Sequence, residues 1–409
     1  MSPKRRIAFL CHPYHRGGVT RWMADAAIAA SEDSEVWVVT VKPTSEFVNA
    51  GGREQMAALI QPYADKIKLV YAPASFLFEF GTGAYRSSIY TRLIMENVPE
   101  GTPLVVSDDM DVWNAASRVA GSYPMIGVLH GDQDHYYDIA IAYKAYLTLA
   151  ACVSGRIGRK LAEKCPAIAR DRIKVISCGI NLPAMTKSAD AHAEIRMAFV
   201  GRLTDHEKRA YDLVNICAML YRQGVAFRLH IAGDSATSRP EYAEMLRKEG
   251  VEEYVTFHGW LGNDGVQDLL RRTDVLLLTS NSEGMPVSMM EALAAGCGFV
   301  GTRVSGVEDM EHLPMAKDCI GVYSIGGIAD AVDKIKAVAA IPTDRRMRAA
   351  RTVAEQEFAM KKCLERYWNA IAAVPPANAA PGNTQMSAVG KWTSAARALA
   401  RFARVKWSK

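Results

Sequence analysis

Short apolar runs recur along the chain and alternate with longer stretches of helical periodicity. The run "IAFLCH" (7–12) is followed by a helical pattern over 20–30 and then by "VWVVTV" (36–41). Further on stand "PLVVSD" (103–108) and "MIGVLHG" (125–131), with a helix expected near 142–151. Strand, helix, strand in this order predicts βαβ units and a parallel sheet. The pattern then restarts. "RMAFVGRL" (196–203) reads as a strand, "YDLVNICAMLYRQG" (211–224) as a helix closed by glycine, and "FRLHIAG" (227–233) as the next strand. "VTFHGW" (255–260), "DVLLLTS" (274–280) and "GFVGTR" (298–303) continue the series. Two doubly wound α/β domains are therefore expected, at 1–180 and 181–358, joined through the polar, glycine- and proline-broken stretch 178–195. A helix over 359–374 follows, then a proline-rich linker (375–386) and a terminal stretch (387–409). Open α/β sheets bind ligands at the carboxyl ends of their strands, so two such domains predict a ligand cleft there.

Composition narrows the class. A chain of 409 residues exceeds one ordinary core, and 49 % apolar with 23 % charged residues is a soluble globular balance. No apolar stretch approaches the roughly 20 residues of a membrane span. The start "MSPKRRIAFLCH" reads as a first strand and not as a signal peptide. Eight cysteines are scattered without a C-x-x-C pair, and Cys11, Cys217 and Cys297 lie in apolar surroundings. They read as reduced core thiols of a cytosolic protein. A net charge of +5 gives no argument for nucleic acid.

Four stretches carry candidate chemistry. In "NSEGMPVSMMEALAAG" (281–296), Glu283 falls in a loop after a strand, Pro286 suits the first turn of a helix, and Gly296 suits its end. The free N–H groups and positive dipole end of that helix favour a phosphate or sugar oxygen. Glu291, one turn in, could accept bonds from hydroxyls, or both glutamates could simply complement the dipole. In "FVGRLTDHEKR" (199–209), Arg202, Lys208 and Arg209 could hold an anion or form a solvated charged turn. In "HPYHRGGVTRW" (12–22), Gly17 and Gly18 precede a helix and would let backbone approach a phosphate, or make a plain turn. In "VLHGDQDHYY" (128–137), His130 ends a strand, with Asp132, Asp134 and His135 close behind as cleft neighbours, a conceivable metal group, or an acidic surface loop.

These blocks together resemble the retaining glycosyltransferases of family 4, which have the two-domain GT-B fold. Glu283 and Glu291 have the spacing of that family's Glu-x7-Glu motif, and "SEGMPVSMMEALAAG" with "GFVGTRVSGVEDM" looks like its block almost throughout. The resemblance is close over 196–312, looser over 1–180 and absent after 374. It implies that Glu283 with Gly284, Met285, Pro286 and Val287 holds the donor sugar, while Glu291 pairs with the ribose hydroxyls. It implies that Arg202 and Lys208 stabilise the departing diphosphate. Lys208 stands one residue later than the commonest spacing, and Arg209 stands where the family usually has glycine. Gly17 and Gly18 would lie near the donor phosphate and acceptor, and His130 beside the donor sugar. "VISCGIN" (175–181) resembles the stretch closing the first domain, with Cys178 for the usual asparagine, and the helix 359–373 resembles the one that crosses back to the first domain. The implied activity is metal-independent, cofactor-free transfer of a hexose from a UDP- or GDP-linked donor to a glycan, such as a lipid-linked one in bacterial cell-surface polysaccharide synthesis. The shifted lysine and missing asparagine also motivate a catalytically inactive nucleotide-sugar-binding subunit. Another GT-B-like enzyme, such as an epimerase, is a third reading.

The terminal stretch "SAVGKWTSAARALARFARVKWSK" has six basic and no acidic residues. Written as a helix it puts Arg397, Arg401 and Arg404 on one face and Trp392, Leu399 and Trp407 broadly on the other. That predicts an anionic membrane surface as a partner and a peripheral place on the inner face of the cell membrane.

Overall fold

Runs of Val, Ile, Leu and Ala bounded by glycine, aspartate or serine form the strands, and most are buried on both faces, as a helix-covered parallel sheet requires. The computed structural model describes residues 4–13, 17–184, 193–233 and 240–374. The linker 375–386 and the basic stretch 387–409 lie outside the described residues. Over the described residues the chain divides into two compact units. One draws on Met1–Val153, Ile157–Gly179 and Cys363 onward, the other on Ser154–Arg156 and Ile180–Lys362.

In the first unit, β1 (Arg5–Leu10), β2 (Ser34–Val41), β3 (Ile67–Ala72), β4 (Leu104–Ser107), β5 (Met125–Leu129), β6 (Leu147–Cys152) and β7 (Ile173–Val175) form a parallel sheet in the order β3-β2-β1-β4-β5-β6-β7. Trp37, Trp113, Phe9 and Tyr90 are among its largest buried side chains. Helix Met360–Ala373 contributes its stripe of Cys363, Leu364, Tyr367 and Ala370 to burial. The Cys363 thiol donates to the Ser177 carbonyl at 3.2 Å, and Arg366 donates to the Ser177 hydroxyl at 3.0 Å.

In the second unit, β8 (Ile195–Val200), β9 (Phe227–Ala232), β10 (Val255–Gly259), β11 (Val275–Leu278), β12 (Gly298–Thr302) and β13 (Ile320–Tyr323) form a parallel sheet in the order β10-β9-β8-β11-β12-β13. Phe199, Phe227, Leu229, Leu277 and Ile335 lie in its core. One charge is buried there in an organised way. Arg346, 1 % exposed, donates to Asp274 at 2.8 Å and to the carbonyls of Ala339 and Ile341 at 3.2 Å. Both sheets are doubly wound, with the Rossmann-like plan the sequence pattern predicts.

Two expectations are corrected. The helix expected near 142–151 ends at Ala142, and 147–152 is strand β6. Its "LTLAAC" is buried at every position, so it shows no period-two alternation, and its alanines make a buried strand look helical. Pro286 is the N-cap of helix Val287–Ala294, in extended backbone, and not a first-turn residue. The strands also stop short of several polar residues that seemed to end them. His12, Asp108 and His130 all lie just past a carboxyl strand end. Among the described residues no helix is long and apolar enough to cross a membrane, and the eight cysteines are buried and unbridged.

Candidate functional site

Strand order reverses direction between β1 and β4 in the first sheet and between β8 and β11 in the second. Such a switch point opens a crevice at the carboxyl edge, because the following loops turn to opposite faces. Most candidate residues fall at these two places.

In the second unit, Arg202 follows β8 and Glu283 follows β11. The short helix Asp205–Lys208 brings Lys208 back across, so that its ammonium donates to Glu283 Oε1 at 2.5 Å. Ser280 donates to the same oxygen at 2.6 Å. The two loops are tied by backbone as well. Thr279 Oγ1 donates to the Lys208 carbonyl at 2.5 Å, Asn281 N to the Glu207 carbonyl at 2.8 Å, and Asn281 Nδ2 to the His206 carbonyl at 2.9 Å. Arg209 holds Asp212 with two bonds, 2.7 and 3.1 Å, which raises its pKa. Arg202 is exposed and, among the described residues, reaches Glu207 at 3.5 Å. Gly284 and Met285 pack under Gly306. A Cβ there would come within 2.5 Å of the Gly284 carbonyl. Val287 opens the helix and Glu291, partly buried, lies one turn along it. Arg202, Lys208 and Arg209 thus follow β8 and the 283–291 stretch follows β11, on the two sides of one switch point, with the Lys208–Glu283 bond joining them. That combination can bind an anion and hydroxyls side by side.

In the first unit, His130 follows β5 and is buried. Its Nδ1 lies 3.7 Å from the Cys178 thiol, its ring meets Trp22 edge-on at 4.7 Å, and its Nε2 has no hydrogen-bond partner among the described residues. Burial lowers its pKa, with Asp108 opposing, so the ring is neutral near pH 7. Gly17 precedes helix Gly18–Ala30 and donates to Gln55 at 3.0 Å. A Cβ on Gly17 would meet nothing within 4 Å, so the fold itself does not demand glycine there. Asp132 is held by Lys160 at 2.8 and 2.9 Å and by Tyr137 at 2.5 Å, Asp134 pairs with Lys164, and His135 lies against Tyr136. These three are engaged in local ion pairs and ring contacts.

Two features escaped sequence reading. Asp108, just past β4, adopts a left-handed backbone (φ 54°); burial raises the pKa of Tyr136, and the charge and hydrogen bond of Asp108 add to that rise. Non-glycine residues held in that conformation concentrate at functional sites. The signal was present as an aspartate pair at a strand end, "SDDM". The second feature is a buried network after β1. Arg53 grips Glu79 with two bonds of 2.6 and 2.8 Å and lies 3.2 Å from His12 Nε2. Among the described residues, His12, Asp109 and Asp111 are the group whose ligand atoms lie close enough, within 4.8 Å, to hold a metal ion. Arg86 pairs with Asp111 and Arg53 adjoins His12, so two guanidinium groups already balance this cluster.

Comparison with known proteins agrees with this architecture. Residues 194–336, just over a third of the chain, match the family model described as Glycosyl transferases group 1. The amylovoran biosynthesis glycosyltransferase AmsK of Erwinia amylovora is 30 % identical over 162 residues, which are 37 % of this chain and 38 % of that protein. The chain thus aligns with well under half the length of the curated relatives it matches. Solved structures match far more of it. The apo lipopolysaccharide outer core galactosyltransferase WaaB covers 90 % of this chain with 99 % of its own, at 18 % identity and TM-score 0.67. Anabaena HepE in complex with UDP covers 90 % with 100 % of its own, at 14 % identity and TM-score 0.70. The chain therefore has the GT-B fold of two Rossmann-like domains, and its 194–336 segment is similar to the group 1 glycosyl transferases.

Proposed function

We propose that the protein is a retaining, metal-independent glycosyltransferase of family 4 that uses a nucleotide-diphosphate sugar. The observation that carries this reading is the Lys208–Glu283–Ser280 cluster at the β8/β11 switch point, flanked by Arg202 and Arg209. That HepE was solved with UDP supports a nucleotide-linked donor. In this reading the donor exchanges with the Lys208–Glu283 contact. The lysine turns to the diphosphate and the glutamate to a sugar hydroxyl, with the stretch Gly284–Val287 beneath the sugar. Glu291 accepts the two ribose hydroxyls, a fixed carboxylate matching vicinal donors. The bond from the anomeric carbon to the diphosphate oxygen breaks, its electrons stay on that oxygen, and Arg202 and Lys208 stabilise the growing charge. The acceptor oxygen bonds to the same face of the anomeric carbon and its proton passes to the leaving phosphate. His130, neutral, packs beside the sugar, and the Gly17–Gly18 turn lets backbone approach the phosphates.

The sugar is a hexose and the acceptor a glycan, lipid-linked in a bacterial surface-polysaccharide route, with 387–409 resting on an anionic membrane. The test is a melting-temperature screen against UDP-, GDP- and ADP-sugars, followed by donor hydrolysis without acceptor. A ligand that binds only the folded protein raises its Tm. No shift with any of them overturns the donor reading. A shift without hydrolysis or transfer leaves an inactive binding subunit.

A further inference from the structure

An exposed aromatic platform stands at the carboxyl edge of the first sheet. The loop after β2 carries Phe47, and the five-residue helix Phe76–Phe80 follows β3. Their rings touch one another: Phe76–Phe80 at 5.1 Å, Phe47–Phe76 at 5.8 Å and Phe47–Phe80 at 6.5 Å. Phe76 is 52 % exposed and the adjoining Leu77 64 %. Apolar side chains grouped in this way on a surface mark a binding site more often than scattered ones do.

The platform is rigidly mounted. Ser75 caps the helix by accepting from Phe78 N. Phe78, fully buried, stacks on His12 at 5.7 Å, and Glu79 is locked by Arg53 and by Ser45 from the β2 loop. One turn of helix therefore sends Phe78 and Glu79 inward and leaves Phe76, Leu77 and Phe80 facing outward. The anchor, His12, lies directly after β1, beside the first sheet's switch point. The platform is thus continuous with the edge where an open sheet binds ligands.

We propose that this surface binds the saccharide of the acceptor, by stacking sugar rings on Phe76 and its neighbours. The proposal rests on the transferase reading above. Charge decides the occupant. From Pro73 to Arg86 the charged residues are Glu79 and Arg86 itself, both buried and ion-paired, Glu79 with Arg53 and Arg86 with Asp111. Exposed Lys42 and Glu46, flanking Phe47, offset each other. An anionic bilayer would call for lysine and arginine around the rings. A neutral pyranose needs none. Its axial C–H bonds form an apolar face of slight positive charge, matched to the negative face of a phenyl ring.

The test uses saturation-transfer NMR with lactose, maltotriose and chitobiose on the full chain, for wild type, Phe76→Ala, Leu77→Ser and Phe76→Trp. At least one saccharide should bind the wild type. Its Kd should rise about tenfold in Phe76→Ala, the loss of one well-placed aromatic contact, and be held by Phe76→Trp. The Tm shift with the nucleotide sugar and donor hydrolysis should stay unchanged in all variants, since neither needs the platform. Both substituted side chains are exposed, so folding is retained, and circular dichroism checks it. A parallel arm sediments neutral and anionic phospholipid vesicles with wild type and Leu77→Ser. No saccharide binding, equal binding by wild type and Phe76→Ala, or vesicle binding that depends on Leu77 each overturns the proposal. Failure of the wild type to respond to any nucleotide sugar is the separate failure of the transferase reading.

Discussion

Arg209 occupies the left-handed conformation (φ 47°, ψ 50°) where the resemblance places a glycine. An L-residue there costs roughly 1–2 kcal/mol, and the double bond to Asp212 offsets some of it. Lys208, the residue before it, ends the helix Asp205–Lys208 and donates to Glu283. Arg202, by contrast, is exposed and weakly held, and its role lies in answering charge that grows as a diphosphate departs. Arg202→Ala should therefore lower kcat by about 10- to 100-fold with donor KM changed little. Glu291→Ala should do the opposite, raising donor KM about tenfold through lost charge-assisted bonds. Steady-state kinetics with the best donor separates the two, and a shared pattern would refute the assignment of distinct roles. His130 gives a pH prediction. Its folded-state pKa is below the ordinary 6.5, so in the window beneath 6.5 the unfolded chain takes up a proton that the folded chain refuses. Stability contributed by the neutral ring is present above 6.5 and lost as pH falls. His130→Gln should flatten the fall of Tm between pH 7 and 5 relative to wild type.

At the scale of elements, the loop after β11 depends on a glycine outside it. Gly306 has φ 78°, and a methyl group there would press on the Gly284 carbonyl and lie 3.0 Å from the Met285 Cα. Gly306→Ala should cost about 1–3 kcal/mol of stability and weaken donor binding, read as a smaller nucleotide-sugar Tm shift. An unchanged shift would show that the 284–285 backbone does not contact the donor. Elements were legible in the sequence where periodicity survived. Helix 210–222 and strands β8 to β12 of the second unit emerge within a residue or three of their expected ends, whereas the four-residue β13 was too short to stand out. Strand β6 did not emerge either, because burial on both faces erases alternation. The site was legible in the same uneven way. Glu283 and Glu291 announce themselves by spacing on one loop and helix. The Lys208–Glu283 bond spans 75 residues of chain, and Arg53–Glu79 spans 26, so only the folded sheet brings them together. Asp108 was hidden because its backbone angle, not its residue type, sets it apart.

At the scale of the whole molecule, cations replace a metal in the proposed chemistry. Activity should survive millimolar EDTA, roughly a thousandfold over micromolar protein, since electrostatic stabilisation comes from fixed side chains. Loss restored by Mn²⁺ or Mg²⁺ would redirect attention to His12, Asp109 and Asp111.

The first unit is sewn from both ends of the chain, with the second unit's long segment lying between them in sequence. A ribosome finishes Gly179 well before it reaches Cys363. At about 5–20 residues per second the delay is roughly 10–40 s. During that interval Ser177 has neither the Cys363 thiol nor the Arg366 guanidinium, and the surface that Tyr367 and Leu364 will cover faces water. The nascent first unit therefore keeps that apolar surface open until the helix Met360–Ala373 has been made, whereas the second unit is complete once residue 362 has emerged. A stop near residue 359 would spare both sheets' strands and leave the first unit permanently unsealed.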